Sequence, residues 1–306
     1  MSESLIQVNK KDVKPLLNGL EEKLPGIDLE GAEYFLFRIP PQQKLDEAHV
    51  KRLEALRKLR FKEIRRFINM LDERSALPVV KIKADKMSYV VKPTHGQVSD
   101  KLFDSSQKNI RFEAQVSGLA SDLNIGPRIY ARYYFNPGML LMVEECISKD
   151  NGWSPMYAYA GKLDSSAFPR ALGKMIGELH KSRYWKAYDN QDLQGRLWYK
   201  DRVLLHSFYN TKTGYLRLVD FGNAELISPV RFKEDNIPRS RLIWEVENAA
   251  TGLLSYVFPH DRAIRQRNSD KFSDVLSKFC ESYSNESGIH VKPGDLMGRI
   301  ISKSQC

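Results

Sequence analysis

Residues 78–92 read PVVKIKADKMSYVVK. Two runs rich in Val, Ile and Tyr flank an Asp85-Lys86-Met87 break. That pattern predicts a β-hairpin over Pro78–Ala84 and Ser88–Lys92. The second run ends on Lys92, so a cation stands at the end of an apolar strand. Outward from there, Asn109–Leu123 reads as a helix, and Gly126-Pro127 stops it. Arg128–Phe135 and Met139–Ile147 read as two further strands. Phe168–Lys181 carries Leu172, Met175, Ile176 and Leu179 at helical spacing. Arg202–Tyr209 and Tyr215–Phe221 read as strands joined by Asn210–Gly214, with Gly214 where a positive φ is expected. Leu242–Val257 and Lys271–Tyr283 read as helices. The order predicts a small α/β lobe followed by a mainly helical one.

Upstream of the hairpin, Glu33–Ile39 (EYFLFRI) reads as a strand broken by Pro40-Pro41. Leu45–Leu71 reads as one long helix, with Leu53, Leu56, Ile64, Phe67, Ile68 and Leu71 on its apolar face. Its other face carries Arg52, Lys58, Lys62, Arg65 and other cations. Asp46, Glu47, Glu54 and Glu63 balance them, so the first reading is a solvated face. The second is a weak, salt-dependent anion or nucleic-acid contact, or a docking surface for a protein partner.

The chain has 306 residues, with 42% apolar and 28% charged side chains, which describes a globular protein. Its net charge, 48 − 38 = +10, excludes an acidic disordered chain. Three widely spaced cysteines with no CxxC pair exclude a disulfide framework and a cysteine-rich zinc site, and point to a reducing compartment. No apolar h-region opens the chain and no stretch of about 18 apolar residues exists. The expected location is intracellular, cytoplasmic or nuclear, with no membrane span.

Four chemical marks follow one another: Lys92; Glu113, 21 residues later on the next helix; LLMVEEC (Leu140–Cys146); and LVDFGNAE (Leu218–Glu225). Together they resemble the protein kinase-like superfamily, and look closer to its RIO, choline kinase and aminoglycoside phosphotransferase branches than to a typical protein kinase. Glu113 to Tyr130 resembles the family's helix, Gly-Pro break and strand, and LGKMIGELHK (Leu172–Lys181) its helix before the catalytic loop. The resemblance implies an α+β, bilobal protein kinase-like fold with a β-rich N-lobe and a mainly helical C-lobe. It places an N-terminal extension at 1–74 and the kinase-like domain at 75–306, divided near 147.

The activity it implies is ATP-dependent phosphoryl transfer with Mg²⁺, to a hydroxyl on a protein. Such transfer needs positioning and charge neutralisation more than covalent chemistry. Lys92 would meet the phosphates, Glu113 would hold Lys92, and Asp220 would hold Mg²⁺, a hard ion that prefers oxygen. Glu145 and Cys146 would border the adenine through their backbone.

The catalytic loop departs from the family's HGDLxxxxN pattern. The nearest match is Asn190–Arg196 (NQDLQGR), with Asn190 for the His and Leu197 for the metal-binding Asn. Asp192 is the candidate base, with Asp189 and Asp201 as alternatives. Asp220 lies 28 residues beyond Asp192, so an insertion separates them, and Asp201 after it is a candidate second metal ligand. No GxGxxG precedes Lys92, and Asp72–Pro78 contains no glycine. A pseudokinase scaffold is therefore the alternative. None of the histidines stands at a metal-ligand spacing; His180 reads as structural and His206 as packed.

A competing local resemblance is to the Tudor domain, over Leu197–Leu226. Trp198, Tyr199, Phe208, Tyr215 and Phe221 would form an aromatic cage for methylated Arg or Lys, and Asn223 would bond the guanidinium.

Overall fold

A computed structural model describes residues 5–24, 28–39, 45, 47–84, 87–95, 109–110, 113–136, 139–159, 166–186, 192–210, 212–229, 236–257 and 269–304. The chain divides into two compact units. The first comprises Met1–Ser99, Phe112–Ala114 and Arg128–Cys146; the second comprises Asp100–Arg111, Gln115–Pro127 and Ile147–Cys306. The class is α+β, with an antiparallel sheet in the N-terminal part and helices in the C-terminal part.

In the first unit, six strands pair among the described residues: β1 (Leu5–Val8), β2 (Glu33–Arg38), β3 (Ala76–Ala84), β4 (Met87–His95), β6 (Ile129–Asn136) and β7 (Met139–Glu145). Their order is β1-β2-β3-β4-β7-β6, antiparallel throughout. The hairpin read at 78–92 is β3–β4, closed between Ala84 and Met87. Lys92 does not end its strand: β4 runs on through Pro93 to His95, each paired to β7. The compact unit also shows no boundary at residue 74. Strands β1 and β2 extend the sheet from β3, so the expected N-terminal extension belongs to the unit that carries Lys92.

The long helix expected over Leu45–Leu71 is two helices, α3 (Glu47–Lys58) and α4 (Lys62–Glu73). A continuous helix would rotate Ile64 by about 80° from Leu56, eight residues earlier. The break at Leu59–Phe61 lets both apolar faces reach one core, where Leu56, Ile64 and Phe67 join Leu36, Ile82, Val91 and Leu141. Helices α1 (Lys10–Leu17) and α2 (Leu20–Lys23) add Leu16 and Leu20 to it.

The second unit contains the rest of α5 (Glu113–Asp122), whose first two residues belong to the first unit. The helix expected from Asn109 starts later, because Asn109–Ile110 forms a short strand, β5, paired with β13 (Glu225–Ile227). Sheet order β5-β13-β10-β9 joins these to β10 (Asp192–Trp198) and β9 (Arg183–Lys186). A second sheet has order β12-β11-β8, from β8 (Ser154–Pro155), β11 (Ser207–Asn210) and β12 (Tyr215–Leu218). Residues 203–205, expected as strand, form a 3₁₀ turn. Gly214 has the expected positive φ, 71°.

Helices α6 (Ala167–His180), α7 (Asn236–Val257), α8 (Ser269–Ser287) and α9 (Pro293–Ser304) complete this unit. Its core includes Phe168, Leu172, Tyr199, Leu253, Phe279 and Tyr283. Among the described residues no helix is long and apolar enough to cross a membrane.

Candidate functional site

Strand periodicity places Lys92. Tyr89 and Val91 face the large core of the first unit, so Lys92 and Thr94 face the other way. On β7, Leu141 and Val143 share the large core, while Leu140 and Met142 form a small cluster with Ala114. Glu144 follows in the same alternation as Leu140 and Met142. It is paired with Val90, diagonal to Lys92, which is within reach of two long side chains.

Four charged groups close on one another there. Lys92 Nζ lies 2.8 Å from Glu113 Oε1 and 3.0 Å from Glu144 Oε1. Arg52 of α3 donates to Glu113 Oε2. All four side chains are buried. Two cations and two carboxylates balance, which is the condition for keeping charge out of water. Burial by itself would raise the Glu113 carboxyl. The Arg52 guanidinium and the Lys92 ammonium outweigh it and hold the carboxyl at about 2, below its ordinary 4.5.

The pairing of Lys92 with Glu113 was expected. Arg52 and Glu144 were not: the charge balance of its helix puts Arg52 on a solvated face, yet it is 3% exposed. Glu144 had no usable signal: the five residues before it are all apolar, so nothing local separates it from its half-buried neighbour Glu145. Arg52 had none, since it meets a residue 61 positions away.

Thr94 lies two residues beyond Lys92 on the same strand face, and its Oγ1 is buried with no hydrogen-bond partner among the described residues. A buried hydroxyl without a partner, on the strand face that carries Lys92, is a group a ligand oxygen can satisfy. Glu145 and Cys146 follow at the end of β7. The Glu145 N–H donates to Arg128 O at 2.8 Å, and the Cys146 N–H donates to Ser88 O at 3.0 Å. Those N–H groups are already used within the sheet.

The remaining candidates lie in the second unit. Asp220 has a φ of 63° and is half-buried. Its neighbours hold it on both sides. Val219 N–H donates to His206 O at 3.0 Å, Tyr199 Oη–H donates to Val219 O at 2.5 Å, and Phe221 packs edge-on against Tyr199 with ring centroids 5.4 Å apart. Asp201 Oδ2 lies 3.5 Å from His206 Nε2, and Asp201 Oδ1 accepts from Arg202 N–H at 2.6 Å. His206 thus links the segments of Asp201 and Asp220. Among the described residues no three His, Cys, Asp or Glu side chains converge as a metal cluster. Mg²⁺ commonly binds through one or two carboxylates, with water and phosphate completing its shell, and Asp220 offers one.

Asp192 is not in a loop. It opens β10, with Lys186 of β9 as its partner. Asp189 lies outside the described residues. His180 is structural, as expected: it is fully buried, with Nδ1 3.0 Å from Tyr283 Oη and Nε2 3.3 Å from Glu245 Oε2.

The aromatic cage does not form. Tyr199 and Phe221 are core side chains, Trp198 is buried beneath Arg241 and Lys200, and Tyr215 is exposed. The segment is also split between two sheets, with β10 and β13 in one and β11 and β12 in the other. Core packing claimed the rings that a methylated ligand would need.

No family model matches the chain, and no curated protein matches it. Among solved structures, the chain is similar to the Cydia pomonella granulovirus kinase PK-1, with 14% identity over 75% of this chain and 84% of that one, at a TM-score of 0.40.

Proposed function

We propose that this chain is an ATP-dependent phosphotransferase of the kinase-like kind, acting on a hydroxyl of a protein. The observation that carries this reading is the buried 2.8 Å pair of Lys92 and Glu113, a strand lysine held by the first acid of the following helix. Lys92 and the Thr94 hydroxyl hold phosphate oxygens, and Glu113 keeps Lys92 charged and aimed. Asp220 holds Mg²⁺, and Asp192 orients the acceptor hydroxyl. The backbone of Glu145 and Cys146 borders the base. ATP supplies the phosphoryl group, and Mg²⁺ neutralises its charge when bound.

A thermal melt with and without MgATP tests this reading. A ligand that binds only the folded chain adds about 2.7 kcal/mol at a hundredfold excess over its Kd. The expected result is an upward shift in the parent that disappears in Asp220→Ala and in Lys92→Met. No shift at millimolar MgATP, or a shift equal in both variants, overturns it.

The second reading is a nucleotide-binding pseudokinase scaffold, favoured by the extended backbone at Asp192. Incubation with γ-labelled ATP and candidate proteins separates the two. Transfer that Asp192→Asn abolishes supports the enzyme, whereas a MgATP-dependent melt shift with no transfer supports the scaffold.

A further inference from the structure

We propose that the first unit binds a small amphipathic carboxylate, one with an apolar body that carries a hydrogen-bond acceptor, in a cavity between α1 and α4. The cavity is a half-open cleft of about 630 Å³, within the usual range of small-molecule sites. None of its lining residues belongs to the Lys92 network.

The interior is apolar. Pro15 of α1 faces Ile64, Phe67 and Met70 of α4, and Tyr133 of β6 closes the end. Tyr133 is 9% exposed, and its hydroxyl has no hydrogen-bond partner among the described residues. A buried hydroxyl left unmet is costly, so a ligand acceptor placed there gains what the fold leaves open. Burial pushes the phenol up to about 12, which keeps it an O–H donor at neutral pH.

The rim is cationic. Lys11, Lys14 and Arg66 line the mouth, and none has an ion pair among the described residues. Two acids stand with them, Asp12 and Glu63. Asp12 is already engaged, accepting from the Asn9 N–H at 3.3 Å. Phe61, 58% exposed, forms an apolar lip. A negative end at the rim, an apolar body inside and an acceptor at Tyr133 answer these three features together.

Isothermal titration of the full chain with 12-hydroxydodecanoate, dodecanoate and 1,12-dodecanediol tests this. The hydroxy acid is expected to bind one site, with the diol at least tenfold weaker. Lys14→Glu, on an exposed side chain, should weaken the hydroxy acid about tenfold and leave the diol unchanged. Tyr133→Phe should weaken the hydroxy acid about two- to tenfold, the range of one net hydrogen bond, and leave dodecanoate unchanged. Met70→Trp, which fills the cavity, should abolish binding while the circular dichroism spectrum is retained. The proposal is overturned if the acid shows no saturable binding, if the diol binds as well, if neither Lys14→Glu nor Tyr133→Phe changes affinity, or if MgATP displaces the acid.

Discussion

Glu113→Ala is expected to destabilise the first unit by about 3–5 kcal/mol, the scale of removing one partner from a buried ion pair. The reason is the company Glu113 keeps. Its two carboxylate oxygens meet Arg52 and Lys92, and all three side chains are almost entirely out of water. Removing the acid leaves two buried cations facing one carboxylate, Glu144. The same group gives the protein a defined acid limb. Its folded pKa of about 2 lies below the ordinary 4.5, so the unfolded chain binds the proton more readily. The contribution is therefore complete above pH 4.5 and is lost as the pH falls toward 2. Roughly 3 kcal/mol is at stake over that window. Urea unfolding at pH 7 and pH 3 measures both effects. The variant should unfold at lower urea at pH 7 and lose less stability between the two pH values. A loss under about 1 kcal/mol at pH 7 would mean that the four charges do not support the fold.

Gly173→Val is expected to cost the second unit about 3 kcal/mol or more, the upper end of overpacking penalties. Gly173 and Gly177 lie one turn apart on α6, where it packs against α8. A Cβ at Gly173 would stand 2.3 Å from the carbonyl oxygen of Phe279. At Gly177 it would stand 2.6 Å from Glu286 Cβ and 3.0 Å from the Tyr283 carbonyl oxygen. A backbone carbonyl inside a helix cannot step aside, so the two helices must separate. Separation uncovers Phe279 and Tyr283, both fully buried. Gly298 of α9 makes the control, since nothing lies within 4 Å of its added Cβ. Gly298→Ala should stabilise by about 0.5–1 kcal/mol through helix propensity alone. Thermal melts of the two variants should move in opposite directions. Parental stability in Gly173→Val would contradict the close approach of these helices.

The LGKMIGELHK segment shows how one pattern carries two meanings. It resembles a helix that precedes a catalytic loop, and the helix is there. Its glycines, however, serve a helix contact with residues more than a hundred positions later. The loop expected to follow is different. Asp192 sits in a strand, because β10 pairs with β9 on one side and β13 on the other. Local sequence could not reveal those pairings. The aromatic residues of 198–221 behave similarly, since alternation shows that rings share a strand but not whether a core will cover them.

Local periodicity alone determined β2, the β3–β4 hairpin, β6, β7, α6 and the Asn210–Gly214 turn, because each rests on side-chain spacing or on one residue's backbone freedom. The resemblance carried by four ordered marks singled out Lys92 and Glu113. Only the tertiary structure decided that Arg52 and Glu144 complete that pair, that the basic segment is two helices, and that Tyr199 and Phe221 are core. Charge neutralisation in a buried site is a sum over every group that folding brings within a few ångströms. Arg52 and Glu113, 61 residues apart, become neighbours only after the sheet and its helices have closed.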